Sequence, residues 1–308
     1  MKSFKLFLAV AAIVVISISS QVQAKELRIG TASQGGAFYP VGQAIATLIN
    51  KYAEGLTAVP IVTLGSVQNP RLVHSGEIDL GITNNNLALL ANEGKGPYAS
   101  GGKMDLGAVG SLHFSILHMI TLADSPINTF ADIKGIRVAV GPAGGGTLEF
   151  LNRLLPVHDM KINDFKPSFL GYSDGFSQLA DGNVGAAFAL AGYPAGAVTQ
   201  AQVTKDLKHI KFTDAKLKAL LETYPFYSKV VVAKDVYSTP EDGIVIGESN
   251  MLFANASMDE ETINKVTRAI YDHMDEFKRL NAYAKQIVPE QSKALAISLH
   301  PGSARYFK

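Results

Sequence analysis

A glycine-rich turn in the middle of the chain has the composition of an anion-binding loop. Residues 137–147 read Arg-Val-Ala-Val-Gly-Pro-Ala-Gly-Gly-Gly-Thr, and a helix-like pattern follows over residues 148–151. A strand that ends in glycines and opens a helix leaves several backbone N–H groups unpaired at the helix start. The helix dipole adds partial positive charge there, so an anion can bind without a basic side chain. The candidate binding residues in this turn are Gly145, Gly146 and Thr147.

The same arrangement occurs near the start of the chain. Residues 27–36 read Leu-Arg-Ile-Gly-Thr-Ala-Ser-Gln-Gly-Gly, and a helix-like segment follows. Residues 73–79 and 179–185 also resemble each other, since each has the form helix end, glycine, strand. This weak internal repeat indicates two similar lobes that face one ligand.

Nucleotide-binding interpretations of the central turn fail on spacing. A Walker motif needs Gly-Lys-Ser/Thr, and the turn has no lysine; a dinucleotide fingerprint needs Gly-x-Gly-x-x-Gly and a later acidic residue. Neither pattern is met over residues 141–147. Two interpretations remain open: a cradle for a small anion, built from backbone N–H groups and the Thr147 hydroxyl, and a tight turn that only lets helix and strand pack.

Residues 171–175, Gly-Tyr-Ser-Asp-Gly, match the nucleophile-elbow pattern of serine hydrolases. Catalysis by Ser173 would need an acid and then a histidine downstream, and none of His209, His273 and His300 sits in a recognisable turn motif. Ser173 is also explained as the N-cap of a helix over residues 173–179. An exported serine hydrolase is therefore kept as an alternative.

The sequence favours neither a metal site nor a cofactor. The seven histidines are scattered without a His-Glu-x-x-His motif, and there are no cysteines to supply a thiolate ligand or nucleophile. Two aromatic residues that follow glycine turns, Tyr39 and Tyr193, could form a wall for a small ligand or simply pack.

Strand-like and helix-like segments alternate along the chain, which indicates an α/β fold with mainly parallel sheets. In such sheets ligands bind outside the carboxyl ends of the strands. The main predicted elements are strands at 27–31, 58–64, 78–83, 108–122, 166–170 and 184–190 and a helix at 38–52. Ser66 is expected to cap a helix whose first turn contains Pro70.

The predicted strand at 108–122 crosses from one lobe to the other, and residues 229–234 and 244–255 carry the chain back. Lobe one is therefore residues 25–115 with 235–308, and lobe two is residues 116–234. The expected architecture is a two-lobed, type II-like periplasmic binding protein, in which each lobe is a mainly parallel sheet flanked by helices and the ligand cleft lies at the hinge.

The first 24 residues have the pattern of a secretory signal peptide. Lys2 and Lys5 precede an apolar run over 6–18, and Val-Gln-Ala at 22–24 is a small-x-small cleavage site. We expect this segment to direct export to the periplasm and to be cleaved after Ala24. Without those two lysines the chain has 26 basic residues against 27 acidic ones, a net charge of about −1. This balance gives no electrostatic signature for nucleic acid.

Five segments in order resemble the TAXI family, the TRAP-associated extracytoplasmic solute-binding proteins. They are residues 30–42 (Gly-Thr-Ala-Ser-Gln-Gly-Gly-Ala-Phe-Tyr-Pro-Val-Gly), 65–69 (Gly-Ser-Val-Gln-Asn), 75–79 (Ser-Gly-Glu-Ile-Asp), 132–135 (Asp-Ile-Lys-Gly) and 140–147 (Val-Gly-Pro-Ala-Gly-Gly-Gly-Thr). Two positions depart from the family pattern, which usually has Ser at Gly145 and Asp at Gly185. The resemblance covers about residues 27–195, and the remainder resembles the family only loosely.

The resemblance implies two α/β lobes that close over a small organic anion, typically glutamate, 2-oxoglutarate or a related carboxylate. It also implies delivery to a TRAP-type integral membrane permease driven by an ion gradient. The protein is expected to be a monomeric receptor without a catalytic step, a cofactor or a nucleic-acid partner. A binding protein that serves a membrane sensor kinase is an alternative with the same sequence features.

The residues expected to contact the ligand come from both lobes. Lobe one contributes Ser33, Tyr39, Ser66, Asn69 and Asn84, and lobe two contributes Gly145, Gly146, Thr147 and Tyr193. Arg71 and Arg137 lie nearby in sequence, but each could equally be a solvated or sheet-edge charge.

Overall fold

The computed structural model describes residues 24–308, so the predicted signal peptide, apart from Ala24, lies outside the described residues. The described chain is an α/β fold around a curled mixed sheet of ten strands. The strands are β1 (Lys25–Gly30), β2 (Leu56–Ile61), β3 (Leu80–Asn84), β4 (Leu106–Leu122), β5 (Arg137–Ala139), β6 (Lys166–Ser168), β7 (Ala186–Ala191), β8 (Leu207–His209), β9 (Ser228–Val232) and β10 (Gly243–Asn255).

Helices flank this sheet, and the predicted helix at 38–52 is confirmed. The helices of the described chain are α1 (Phe38–Tyr52), α2 (Gln68–Ser75), α3 (Asn85–Glu93), α4 (Gly146–Val157), α5 (Tyr172–Ala180), α6 (Gly196–Gln202), α7 (Asp214–Thr223), α8 (Glu260–Tyr271), α9 (Met274–Leu280) and α10 (Pro301–Ala304). Across residues 24–308, none of them is both long enough and apolar enough to cross a bilayer.

The strand order β2-β1-β3-β10-β4-β7-β5-β6 divides the sheet into two parallel parts. On one side, β1 pairs in parallel with both β2 and β3; on the other, β5 pairs in parallel with both β6 and β7. Between them lie β4 and β10, which pair antiparallel with each other and with their outer neighbours. The fold is therefore two-lobed, and these two long strands connect the lobes.

Each lobe has a core on both faces of the sheet, because alternate residues of a strand point to opposite faces. In β10, Leu252 belongs to a cluster with α1 and α8, whereas Phe253 packs with residues of α2 and α3. In β4, Leu117 packs with α4 and Ile116 with α5 and α6. The crossing strands therefore contribute to the cores of both lobes.

The predicted return crossing needs a correction. β9 forms a hairpin with the first half of β10 and does not itself cross, since Gly243–Gly247 pair with Ser228–Val232. Val245 and Ile246 also pack in the two cores of lobe two. We therefore retain the division into lobes as a proposal, with the return boundary moved into β10 close to Glu248.

Glu248 is a carboxyl group buried at this crossing point. It lies opposite Ser115 of β4, is 3% exposed, and its Oε2 atom has no hydrogen-bond partner. Burial raises its pKa to about 8, although the positive charge of Arg153 opposes the shift; the nearby Glu149 adds to it. The folded protein thus keeps this carboxyl protonated at neutral pH, whereas the unfolded chain ionises it.

We predict that Glu248→Gln removes the contribution of Glu248 to the pH dependence of the free energy of unfolding. Between the ordinary glutamate pKa of 4.5 and about 8, unfolding of the wild type releases a proton, so its free energy of unfolding falls as pH rises. The difference between wild type and variant should change by up to about 1.4 kcal/mol per pH unit in that window. Urea denaturation at pH 5, 6, 7 and 8 measures it, and parallel pH curves for the two proteins would contradict the assignment.

Candidate functional site

A small cleft lies between the lobes at the carboxyl ends of the parallel strands. In the described structure its free volume is only about 10 Å³, roughly enough for one water molecule. Its walls come from the segments that follow β1 and β2 in lobe one and β5 and β6 in lobe two, together with Leu190 near the end of β7. The lining residues are Ala32, Ser33, Gly36, Ala37, Phe38, Leu64, Gly65, Ser66, Pro142, Gly145, Gly146, Tyr172 and Leu190. Both glycine turns singled out in the sequence contribute residues to this cleft.

The two lobes touch each other around the cleft. Leu64 packs directly on the backbone of Gly144, where a Cβ atom would come within 2.8 Å of the Leu64 Cβ. The Ala197 N–H at the start of α6 donates to the Gly35 carbonyl at 3.0 Å. On the outer side of the cleft, the Tyr283 hydroxyl donates to the Pro194 carbonyl. The described conformation is therefore one in which the lobes are closed.

Three helices begin at the cleft without a side-chain cap. α1, α4 and α5 start at Phe38, Gly146 and Tyr172, which all line the cleft, and none has a side-chain hydrogen bond at its N-cap. α2, α3, α6 and α9 also lack a side-chain cap, whereas Thr213, Asp259 and His300 cap α7, α8 and α10. The feature particular to the cleft is that three uncapped helix starts meet there. First-turn N–H groups without side-chain partners and the dipoles of three helices make the cleft wall electropositive.

No charged side chain lines the cleft in the part of the chain that the structure describes. Arg71 is bonded to the Val67 carbonyl at 3.2 Å and lies over the ring of Tyr98. Arg137 is exposed at the start of β5, the opposite end of that strand from the cleft. An anion in the cleft would therefore be bound by backbone and neutral side-chain donors.

Thr147 holds the wall of the cleft in place through buried hydrogen bonds. Its hydroxyl oxygen accepts a hydrogen bond from the Leu190 N–H at 2.9 Å and lies 2.8 Å from the Tyr172 hydroxyl. The Tyr172 hydroxyl in turn donates to the Leu190 carbonyl at 3.1 Å. These bonds fasten the start of α4 to the end of β7 and to α5. Thr147 is fully buried and does not line the cleft, so it acts as a positioning residue.

The side chain of Asn69 likewise makes its hydrogen bonds with other groups of the protein. Its Nδ2 atom donates to the carbonyls of Gly30, Thr31 and Ile82 at 3.2, 2.7 and 2.7 Å. Its Oδ1 atom accepts from the Thr63 hydroxyl at 2.7 Å. This amide therefore ties the ends of β1 and β3 to the loop after β2, away from the cleft wall.

Tyr39 and Tyr193 also lie outside the cleft lining. Tyr39 is half-buried on α1, and the ring of Tyr193 packs against the core beside α5 and α6. We do not carry these two tyrosines or Asn69 into the proposed site. The aromatic residues that do line the cleft are Phe38 and Tyr172.

Four predicted residues meet at the cleft wall: Ser33, Ser66, Gly145 and Gly146. Asn84 lies beside them, since a Cβ atom on Gly146 would come within 2.8 Å of its Oδ1 and 3.0 Å of the Ser66 Oγ. The helix-cap prediction for Ser66 was wrong, because α2 starts at Gln68 with Val67 at the N-cap and without a side-chain cap. Its hydroxyl is adjacent to the cleft instead.

The sequence reading missed Leu64, Pro142, Tyr172 and Leu190 as lining residues. Tyr172 had a usable signal, because it stands in a third strand-to-helix glycine turn. The sequence pattern of that turn instead drew attention to Ser173 as a nucleophile or an N-cap. The N-cap prediction is wrong, because α5 starts at Tyr172 and its N-cap is Gly171. Apolar residues such as Leu190 had no signal, since only the tertiary fold brings them here.

The surroundings of Ser173 offer no catalytic arrangement within the described residues. It lines a separate cavity between α5 and α6 together with Ser177, Asp181 and Gln200, and no histidine lines that cavity or the cleft. His118 and His209 are buried in lobe two, and burial lowers the pKa of His118 to about 3 and of His209 to about 4. The described residues also hold no group of three or more potential metal ligands.

Several solved structures share this fold. A protein from Bordetella bronchiseptica RB50 is 17% identical with a TM-score of 0.56, covering 89% of this chain and 88% of that one. A putative L-cystine ABC transporter protein from Listeria monocytogenes is 14% identical with a TM-score of 0.51, covering 83% and 94%. A binding protein component of a Pseudomonas aeruginosa ABC phosphonate transporter is 9% identical with a TM-score of 0.50, covering 85% and 80%.

The model of the NMT1-like family matches residues 29–308, and the chain belongs to that family. The resemblance to the TAXI family stays a prediction. Gly185, one of its two departures from the TAXI pattern, packs in lobe two, where a Cβ atom would come within 2.5 Å of Ile136. Gly145, the other departure, lines the cleft.

We predict that Thr147→Val destabilises the protein by about 1–3 kcal/mol, because the Leu190 N–H loses its buried acceptor. Valine has nearly the same shape, so packing is retained. Thr147→Ser keeps the hydroxyl and serves as the control, with a smaller loss. Urea denaturation measures both, and equal stability of Thr147→Val and wild type would contradict the positioning role.

Proposed function

We propose that this protein is a periplasmic solute-binding receptor that captures a small organic anion between its lobes and delivers it to a membrane permease. The observation that carries the proposal is the uncharged cleft at which α1, α4 and α5 begin without side-chain caps. Backbone N–H groups at helix starts bind carboxylate, sulfonate and phosphate groups alike. Backbone binding therefore predicts an anionic group on the ligand but does not say whether it is a carboxylate, a sulfonate or a phosphate.

The described cleft is nearly closed, with a free volume of about 10 Å³, which is room for roughly one water molecule. A solute would therefore have to enter an opened form of the cleft, and a small molecule requires the least opening. Phe38 and Leu190 supply apolar surface, whereas Ser33 and Ser66 supply hydroxyls. A short organic acid fits this combination, and a carboxylate such as glutamate or 2-oxoglutarate is what the TAXI resemblance implies.

The mechanism that we infer is closure of the two lobes about the crossing strands β4 and β10. In an open form, the loops of each lobe would be separated and a ligand could enter. A ligand that contacts Ser66 in lobe one and Gly146 in lobe two would favour the closed form, because only that form offers both sets of contacts. The membrane component would then recognise the closed form.

Two kinds of membrane permease are candidate partners for this receptor. The TAXI resemblance predicts a TRAP-type permease. The Listeria and Pseudomonas proteins with this fold are described as parts of ABC transporters, which supports an ABC-type permease as the second candidate. Export by the predicted signal peptide and a monomeric state fit either kind. A sensor kinase as the membrane partner stays the alternative for the same cleft.

Thermal unfolding with a panel of small acids tests the receptor proposal. Residues 25–308 are heated with carboxylates, amino acids, sulfonates and phosphonates, each beside its neutral amide or alcohol. A ligand at 100 times its Kd stabilises the folded state by about 2.7 kcal/mol, so a binder should raise the midpoint by several degrees. Stabilisation by acids but not by their neutral analogues supports the proposal, and a panel without any stabilising acid would overturn it.

We predict that Gly146→Ala weakens binding of any acid found in this panel by about tenfold or more. The added Cβ would lie 2.8 Å from Asn84 Oδ1 and 2.9 Å from Leu190 Cδ2, so the closed wall could not form without displacement. Gly101→Ala is the matched control, because the nearest atom to its Cβ would be 3.7 Å away in an exposed turn. Isothermal titration measures both, and unchanged affinity of Gly146→Ala would exclude this wall from the binding site.

A further inference from the structure

Asn84 presents a buried hydrogen-bond acceptor that no protein group uses. It is the last residue of β3, it is fully buried, and its Oδ1 atom has no hydrogen-bond partner among the described residues. An unpaired buried acceptor is unfavourable, and native proteins rarely retain one without a reason.

The hydrogen-bond network fixes which end of this amide is unpaired. Asn250 donates from Nδ2 to the His113 carbonyl at 2.7 Å and to the Ser115 hydroxyl at 2.8 Å. Because a backbone carbonyl can only accept, Asn250 must direct its Oδ1 toward Asn84. The Asn84 Nδ2 atom then donates to that oxygen at 2.8 Å. Flipping the Asn84 amide would place two oxygens together, so its Oδ1 is the free atom.

Asn84 is not itself a lining residue of the described cleft, but its Oδ1 lies just behind the cleft wall at the start of α4 and, unlike the polar atoms of Thr147 and Asn69, has no partner within residues 24–308. The position that a Cβ atom on Gly146 would occupy is 2.8 Å from Asn84 Oδ1 and 3.0 Å from Ser66 Oγ, and both Gly146 and Ser66 line the cleft. The acceptor therefore adjoins the same helix start that offers N–H groups to an anion. A second anionic oxygen placed there would be repelled, whereas a donor would be paired.

We propose that the solute carries a hydrogen-bond donor, an amino or hydroxyl group, on the carbon next to its acid group, and that Asn84 Oδ1 accepts from it. This inference rests on the proposed function, since it names the chemical class of the anion in the same cleft. The acid group binds at the helix start, and the neighbouring donor completes the amide network of Asn84 and Asn250. Unsubstituted acids and 2-oxo acids leave the acceptor unpaired.

Matched ligand series test the donor requirement. Isothermal titration compares alanine, lactate, pyruvate and propionate, and then glutamate, 2-hydroxyglutarate, 2-oxoglutarate and glutarate, on residues 25–308. We expect at least one donor-bearing member to bind about tenfold or more tightly than its oxo and unsubstituted partners. If oxo or unsubstituted acids bind equally well, the donor inference is overturned while the receptor function stands. If no acid binds, both fail.

Two variants assign the preference to Asn84. In Asn84→Leu the ratio between donor-bearing and unsubstituted acids should fall to about one, because the acceptor is gone. Ser66→Ala removes the neighbouring hydroxyl and should preserve the ratio. Loss of the ratio in Ser66→Ala but not in Asn84→Leu would overturn the assignment. The wild-type series remains decisive if Asn84→Leu does not fold.

Discussion

The antiparallel pairing of β4 with β10 is the interaction on which the rest of the structure depends. These two long strands run through both lobes, and their side chains enter four separate cores. Because they fix the two parallel half-sheets relative to each other, the carboxyl ends of β1, β2, β5, β6 and β7 face one gap. The residues of the cleft wall come from the loops and helix starts after these strands, and Leu190 from the end of β7. The crossing strands therefore determine the position of the site.

Close approach of backbones is the second constraint. Leu64 lies on Gly144, and the bare Cα of Gly146 faces Asn84 and Ser66. Side chains at these glycines would hold the lobes apart, so the glycines are needed for closure as well as for exposed N–H groups. In the function that we propose, the same residues would provide both the contact between the lobes and the surface that binds the anion, so closure and ligand binding would be coupled.

The buried polar residues divide into those that the scaffold satisfies and those that it leaves open. Asn69 makes four hydrogen bonds within lobe one, and the Thr147 hydroxyl is paired with Leu190 and Tyr172. Asn84 Oδ1 and Ser33 Oγ, by contrast, are buried without a partner. All four are small polar residues at strand ends or glycine turns in the sequence. Of these four residues, only Asn84 and Ser33 have a hydrogen-bonding atom that is still available to a ligand.

Local signals in the sequence determined the alternating α/β pattern, the helix at Phe38–Tyr52 and the two glycine turns at the site, because strand and helix periodicity and glycine content act over a few residues. Local signals could not separate Asn69 from Asn84, find Tyr172 and Leu190 at the cleft, or show that residues 229–234 pair with β10 instead of crossing with it. Those outcomes depend on which groups meet across the two lobes. Hydrogen-bond pairing and packing between distant segments exist only in the tertiary structure, and they decided which of the predicted residues face the cleft.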